Sequence, residues 1–260
     1  MANTSKIQDL FSLHGKIALV TGSYQGLGLV LARGLAQAGA TVVLNGRKPE
    51  KLDNALKQFS EEGLRAYGYT FDVTNAEQIQ TTIPKIEEHL GPIDILVNNA
   101  GIQRRGSLEE IEESAWREVL DTNLTGVFLV SRQVVKTMIA RKAGKIINIG
   151  SLQSEISRST IAPYAASKGG LKMLTRGMAV DWGKYNIQCN GIGPGYYLSD
   201  MTQALADDPT FDSWLKARTP MRRWGDQREL VGAVIFLASA ASSFVNGHML
   251  YVDGGILATI

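Results

Sequence analysis

Apolar positions along the chain gather into seven short runs: KIALVT (16–21), TVVLN (41–45), RAYGYTF (65–71), IDILVN (93–98), KIINIGS (145–151), NIQCNGI (186–192) and HMLYVD (248–253). Most are apolar at consecutive positions, the pattern of strands covered on both faces. Between them lie amphipathic stretches with helical spacing, such as LVLARGLAQAGA after the first run. Strands alternating with helices predict a doubly wound, Rossmann-type α/β fold with a seven-stranded parallel sheet, one domain over 1–260. The stretch YYLSDMTQALADDPTFDSWLKARTP, 196–220, breaks the short-connection pattern. It is expected to form a helical lid over a binding site.

Composition narrows the partners. With 260 residues, 44 % of them hydrophobic, the chain can bury one sizeable core. The 27 basic and 25 acidic residues leave a net charge of +2, too small and dispersed to suggest a nucleic-acid or membrane surface. A small-molecule partner is expected instead. Cys189 is the lone cysteine and lies in a strand-like run, so it is expected to be a buried, inert thiol. His14, His89 and His248 show no metal-ligand spacing, and no metal is expected. The segment MANTSKIQDLFSLHGK lacks the apolar core of a secretory signal, and the apolar run near 230–238 is too short to span a bilayer, so a cytoplasmic location is expected.

The first strand runs into TGSYQGLG, which places Gly22, Ser23, Gln25, Gly26, Leu27 and Gly28 at a strand-to-helix turn. Glycines there let the backbone approach a pyrophosphate, and the free N–H groups and dipole of the helix start favour its charge. The second strand ends Asn45-Gly46-Arg47-Lys48, with no carboxylate where an NAD site usually offers one to the ribose. A 2′-phosphate suits the guanidinium of Arg47, so NADP(H) is preferred and NAD(H) stays possible, because Gln25 stands where relatives that bind NADP often carry a second basic residue.

Tyr164 and Lys168, in PYAASKGG, are spaced to leave one face of a helix. A phenol with a pKa near ~10 is a poor base at neutral pH. A cation about 4 Å away, at an effective dielectric of ~20, would favour the phenolate by ~4 kcal/mol, about three pKa units. Ser151 closes the preceding strand and can polarise a carbonyl beside that phenol.

Taken together, TGSYQGLG, Asp72, NNAG (98–101), Asn123, Ser151, Tyr164-x-x-x-Lys168 and Pro194-Gly195 resemble the short-chain dehydrogenase/reductase family over essentially the whole chain. The resemblance implies the seven-stranded doubly wound sheet and a homotetramer. It also implies that Asp72, with Val73 beside it, meets the adenine, and that Asn98 and the following Asn99, Ala100 and Gly101 line the adenosine side. Asn123 would hold a water linking Lys168 to solvent, Lys168 would bind the nicotinamide ribose, and Pro194-Gly195 would flank the nicotinamide. Asn123, Ser151, Tyr164 and Lys168 would be the catalytic set.

Arg104 and Arg105 follow NNAG on the carboxyl edge of the sheet, facing the reactive centre. Adjacent side chains seldom point the same way, so Arg104 is expected to hold a substrate carboxylate, with Arg105 toward solvent or a neighbouring subunit. Ser151 and Leu152-Gln153-Ser154-Glu155 would line the same pocket, Gln153 among the substrate contacts. NNAGIQRR, SLQSE, APYAASKGG and RTPMRRWG are similar to the gluconate 5-dehydrogenase branch of the family. That likeness implies interconversion of D-gluconate and 5-keto-D-gluconate with NADP(H). The alternatives are an NAD-dependent 2-dehydro-3-deoxy-D-gluconate 5-dehydrogenase, another polyol or sugar-acid reductase, and a nucleotide-sensing protein without turnover.

Overall fold

The computed structural model describes residues 7–199 and 202–259, so Asp200 and Met201 of the predicted lid lie outside it. The seven apolar runs become seven strands: β1 (Ile17–Val20), β2 (Thr41–Gly46), β3 (Ala66–Thr70), β4 (Ile95–Asn98), β5 (Gly144–Ile149), β6 (Ile187–Pro194) and β7 (Met249–Val252). All pair in parallel in the order β3-β2-β1-β4-β5-β6-β7. The helices between them are α1 (Gly26–Gln37), α2 (Pro49–Glu61), α3 (Ala76–Leu90), α4 (Glu113–Leu120), α5 (Gly126–Arg141) and α6 (Ala162–Trp182). After β6 come α7 (Gln203–Ala206), α8 (Pro209–Arg218) and α9 (Val231–Ala238). No described helix is long and apolar enough to cross a membrane.

Consecutive apolar residues in each strand serve two cores. Val20, Val42 and Leu44 face one side and pack with Leu31 and Leu35 of α1, Phe59 of α2 and Val234 of α9. Leu19 and Val43 face the other, against Ile83 of α3, Val130 of α5 and Leu171 of α6. Side chains alternate across a strand, so a sheet with both faces covered needs no polar positions. Each fully buried Leu or Ile here contributes ~1.5–3 kcal/mol relative to exposure. Cys189 lies in the second core at 0 % exposure, where burial pushes its thiol up to about 12, an inert group.

Strand order reverses between β1 and β4, which opens a crevice at their carboxyl ends. The excursion after β6 supplies part of its wall. There α7 and α8 form, the latter started by Asp208, whose carboxylate accepts from the N–H groups of Thr210 and Phe211 at 2.9 and 3.3 Å. Tyr196, Thr202 and Leu205 of this excursion face the crevice.

Candidate active site

The crevice is a cleft of about 430 Å³ running from the β1–α1 turn to the lid. Beneath that turn lies Thr21, whose hydroxyl accepts from the N–H groups of Asn99 and Ala100 at 3.0 and 3.1 Å. Asn99 returns its amide to the carbonyls of Thr21 and Gly22, both at 3.0 Å. A Cβ on Gly28 would come within 2.4 Å of that amide, so glycine is required for the closure of the turn. Gly26 sits at φ 56, a left-handed conformation with open space where a side chain would be.

The start of α1 has no side-chain cap and no acid in its first turn. Its N–H groups are therefore available to a pyrophosphate, and Gly22, Gln25, Gly26, Leu27 and Gly28 all line the cleft around them. Ser23 does not, which corrects the expectation for it. It is 0 % exposed, its hydroxyl donates to the Val20 carbonyl at 2.7 Å and accepts from the Asn45 N–H at 3.0 Å, and it pins the turn to β2. Asn45 completes that pin by accepting from the Gly22 N–H at 3.2 Å.

Arg47 stands at the cleft mouth, 3.5 Å from Asp72, with most of its side chain in solvent. Burial alone would raise the Asp72 carboxyl, but hydrogen bonds from the Thr74 N–H and hydroxyl and the charge of Arg47 bring it below its usual range. The cap of α3 is Asn75, which leaves the free side of Asp72 facing the cleft next to Val73. Lys51, unforeseen from the sequence, donates to Gln25 at 3.0 Å and lies 5.7 Å from the centre of the Tyr24 ring. It brings a second cation to the side of the cleft where Arg47 stands.

Asn99, Ala100 and Gly101 line the cleft, whereas Asn98 turns inward and donates to Ser131 and Asn148 at 2.9 and 2.8 Å. Asn123 is likewise interior, at 0 % exposure. It lies in a π-turn, Asp121–Thr125, with its carboxamide bound to Ile102 (2.8 and 2.9 Å) and to Ser167 (3.0 Å). With the side chain committed, only its main chain is left to hold a water.

Ser151, Tyr164 and Lys168 converge in the cleft, which Pro194 and Gly195 also line. Lys168 is 4 % exposed, donates to the Ile149 carbonyl at 2.6 Å, and lies 5.6 Å from the centre of the Tyr164 ring. Burial lowers its pKa to about 8. The sequence-based expectation of an acidified Tyr164 is not met in the free cleft. Burial pushes the phenol up, the Ser151 hydroxyl pulls it down, and the Tyr196 phenol adds a further upward push. The reason is that desolvation, which favours the neutral phenol, outweighs the hydrogen bond from Ser151. Ser151 donates to the Gln153 carboxamide oxygen at 2.5 Å, and Gln153 reaches Tyr196 at 3.5 Å.

Of the segment after Ser151, only Gln153 lines the cleft. Leu152 is buried against Leu215 and Trp224, Ser154 caps Ser151, and Glu155 pairs with Lys172 and Tyr251. The paired arginines alternate as expected but in the opposite phase. Arg104 is held on the outside by Glu118 through two bonds of 2.9 Å, and Arg105 faces the cleft. Burial, then the charge of Arg158, lowers the Arg105 pKa. Arg158, in the loop before α6, also lines the cleft and was not foreseen. Nothing in SEISRST marks it, since no periodicity governs a loop; Tyr196, beside Pro194-Gly195, had at least adjacency to a foreseen motif.

The family model described as short chain dehydrogenase matches residues 16–210. The chain is 52 % identical over 254 residues to the 5-keto-D-gluconate 5-reductase of Escherichia coli K12, covering 98 % of this chain and all of that one. It is 54 % identical over 254 residues to the 2-dehydro-3-deoxy-D-gluconate 5-dehydrogenase of Formosa agariphila, covering 97 % and 96 %. Among solved structures, a gluconate 5-dehydrogenase from Burkholderia cenocepacia in complex with NADP and tartrate superposes with a TM-score of 0.95 at 52 % identity, covering 97 % and 99 %.

Lys168 makes the stability of the protein depend on pH in a defined sense. Its folded pKa of about 8 lies below the free value, so between these values the unfolded chain binds more protons and folding becomes more favourable as pH rises. Below pH ~8 the buried charge is carried in full. Urea titrations of wild type and Lys168→Met are therefore expected to show wild type gaining about 2 kcal/mol on the variant between pH 7 and pH 10. A constant difference would mean the ammonium is not desolvated.

Proposed function

The chain belongs to the short-chain dehydrogenase family, and on that premise we propose that it interconverts D-gluconate and 5-keto-D-gluconate with NADP(H). The observation that carries the substrate class is Arg105, a guanidinium on the cleft wall to which no carboxylate is paired among the described residues. An acid group on the substrate supplies the missing partner. The relatives named above act at C5 of six-carbon sugar acids, and they support the same position here. Ser151, Tyr164 and Lys168, all present and converging, speak against a nucleotide sensor without turnover.

The residues fit the cofactor. The uncapped start of α1 would take the pyrophosphate, Asp72 the adenine, Arg47 and Lys51 the 2′-phosphate, and Lys168 the nicotinamide ribose. When bound, the nicotinamide supplies the hydride acceptor or donor at its C4, balancing the two electrons that leave or enter C5 of the sugar acid.

Arg105 fixes the carboxylate so that C5 lies at Tyr164 and Ser151. Ser151 holds the C5 oxygen, its hydroxyl turning from Gln153 to donate to the ketone. Tyr164, neutral in the free cleft, gives its phenolic proton to that oxygen as the ketone is reduced. In the oxidative direction Tyr164 must first lose that proton, and Lys168, with a pKa of about 8, carries protons on its inner side.

An NADPH oxidation assay with 5-keto-D-gluconate, set beside 2-dehydro-3-deoxy-D-gluconate with NAD, decides between the two sugar-acid reactions. The expected result is faster turnover of 5-keto-D-gluconate. Gluconate oxidation is expected to accelerate from pH 7 to 10 as the phenolate fraction grows, while ketone reduction, whose proton donor is a phenol with a raised pKa, stays near level over that range. Tyr164→Phe is expected to lose about 10²–10⁴-fold in kcat with NADPH binding intact, and near-normal turnover would refute the assignment.

Arg47→Ala is expected to raise the KM for NADPH about tenfold or more, one charge-assisted pair being lost, and to leave that for NADH within about threefold. Equal effects on both cofactors would remove Arg47 from the 2′-phosphate.

A cytoplasmic homotetramer completes the reading. Its support is the family resemblance together with exposed apolar side chains on helices α5 and α6: Phe128 (42 %), Met173 (59 %) and Val180 (80 %). Light scattering is expected to give four times the 28.2 kDa chain, and a monomer would rule the assembly out.

A further inference from the structure

Arg158 sits on the cleft wall, and nothing in the fold requires a cation there. Its Nε is buried without a hydrogen-bond partner, so a charged donor has given up its hydration with nothing in return. Its guanidinium lies 5.4 Å from the centre of the Phe211 ring on α8. That ring packs at 5.6 Å against Tyr196 and at 5.2 Å against Trp214. The lid is thus in contact with a cation that faces into the site.

Two features bring Arg158 to Arg105. The Gly106 N–H donates to the Thr160 carbonyl at 3.1 Å, tying the loop of one arginine to the loop of the other. Thr160 sits at φ 69, left-handed backbone that a β-branched residue adopts only under strain, and such strain persists where surrounding contacts impose it, often at ligand clamps. Both guanidiniums line the same cleft, and the charge of Arg158 is felt at Arg105.

We propose that Arg158 is the second arm of a two-guanidinium clamp for the substrate carboxylate, seated on the Phe211 ring of the lid. The inference rests on the sugar-acid reading above and names the residue that makes the acid group a requirement. A carboxylate between the two forks satisfies the buried Nε and relieves the repulsion between like charges. A neutral sugar does neither, so the clamp selects acids over the corresponding ketoses. Because the lid touches the same guanidinium, filling the clamp and closing the lid favour each other.

The test compares 5-keto-D-gluconate with L-sorbose, the same carbon chain with a hydroxymethyl group in place of the carboxylate. Arg158→Gln is expected to lower kcat/KM for the keto acid about ten- to hundredfold and for L-sorbose by less than about threefold. Arg158→Lys is expected to recover only part of the loss, because an ammonium cannot present paired planar donors. Phe211→Leu leaves both arginines in place and is expected to narrow the preference for the acid about threefold or more. Equal losses on both substrates in Arg158→Gln, or none on the acid, overturn the clamp. If wild type turns over no keto acid, the parent reading fails separately, and calorimetry with gluconate and the NADP⁺-loaded protein still decides Arg158. There, weakening of about tenfold in Arg158→Gln supports the clamp, unchanged affinity refutes it, and no binding by wild type refutes both. Enhanced NADPH fluorescence identifies folded variants throughout.

Discussion

A lysine buried without a carboxylate is an expensive object, and the arrangement of this cleft follows from keeping one beneath Tyr164. The Lys168 ammonium has a main-chain carbonyl, that of Ile149, as its one hydrogen-bond acceptor among the described residues, at 2.6 Å. Had an aspartate been placed there, the charge would be satisfied and locked. The carbonyl is a weaker partner, and the pKa falls to about 8. A group poised near neutrality can hand a proton in either direction, which a locked ion pair cannot. The carbonyl is available because Ile149 ends β5, and β5 is held in register on both sides by β4 and β6. The reactive wall is thus a property of the sheet edge before it is a property of any side chain.

The same edge explains why several polar residues at or beside the site spend their side chains on the fold. Ser23, Asn45, Asn98 and Asn99 lie where strands end, and Asn123 in the π-turn that binds the loop after β4; there main-chain groups lack ladder partners. Ser23 and Asn45 close the turn after β1, Asn99 closes the gap between β1 and β4, and Asn123 ties the loop after β4 to α6. Asn98 joins Asn148 and Thr175 in an interior network, with the Asn148 amide donating to Thr175 at 2.9 Å. These side chains do the work of hydrogen bonds that the ladder no longer makes. The cleft walls are rigid as a consequence, and ligand-facing groups inherit fixed positions from them.

How much of this was legible follows the reach of each signal. Consecutive apolarity reports burial on both faces, and burial on both faces of a parallel sheet is a global property, so the strands emerged within about two residues of the runs in the sequence. Tyr164 and Lys168 were legible because helical spacing is local and fixed. The phase of Arg104 and Arg105 was not. Alternation says that one of the two faces inward, but the choice depends on Glu118, on a helix that the sequence could not place against that loop. Ser23 illustrates the opposite failure. Its position in a phosphate-binding turn suggested a ligand contact, while its hydroxyl was needed by Val20 and Asn45, two partners visible only in three dimensions.

Net charge concealed the most consequential feature. A chain at +2 carries no hint of concentrated potential, yet cations stand at both ends of the cleft: Arg47 and Lys51 at the mouth, Arg105 and Arg158 beneath the lid. The two ends are not equivalent. Arg47 keeps Asp72 within 3.5 Å and most of its surface in water, so its charge is already screened and a phosphate arriving there exchanges one set of weak contacts for a stronger one. Arg105 and Arg158 have no carboxylate of their own among the described residues, and part of Arg158 is dry. Like charges on one wall repel, and the burial of part of Arg158 limits the water that would screen it. An anion entering at that end removes a standing cost as well as forming bonds, and a neutral molecule of the same shape forms fewer bonds and leaves the cost in place. Discrimination between an acid and its neutral counterpart therefore arises from the unpaired charge of this wall, and it needs no steric exclusion of the neutral molecule.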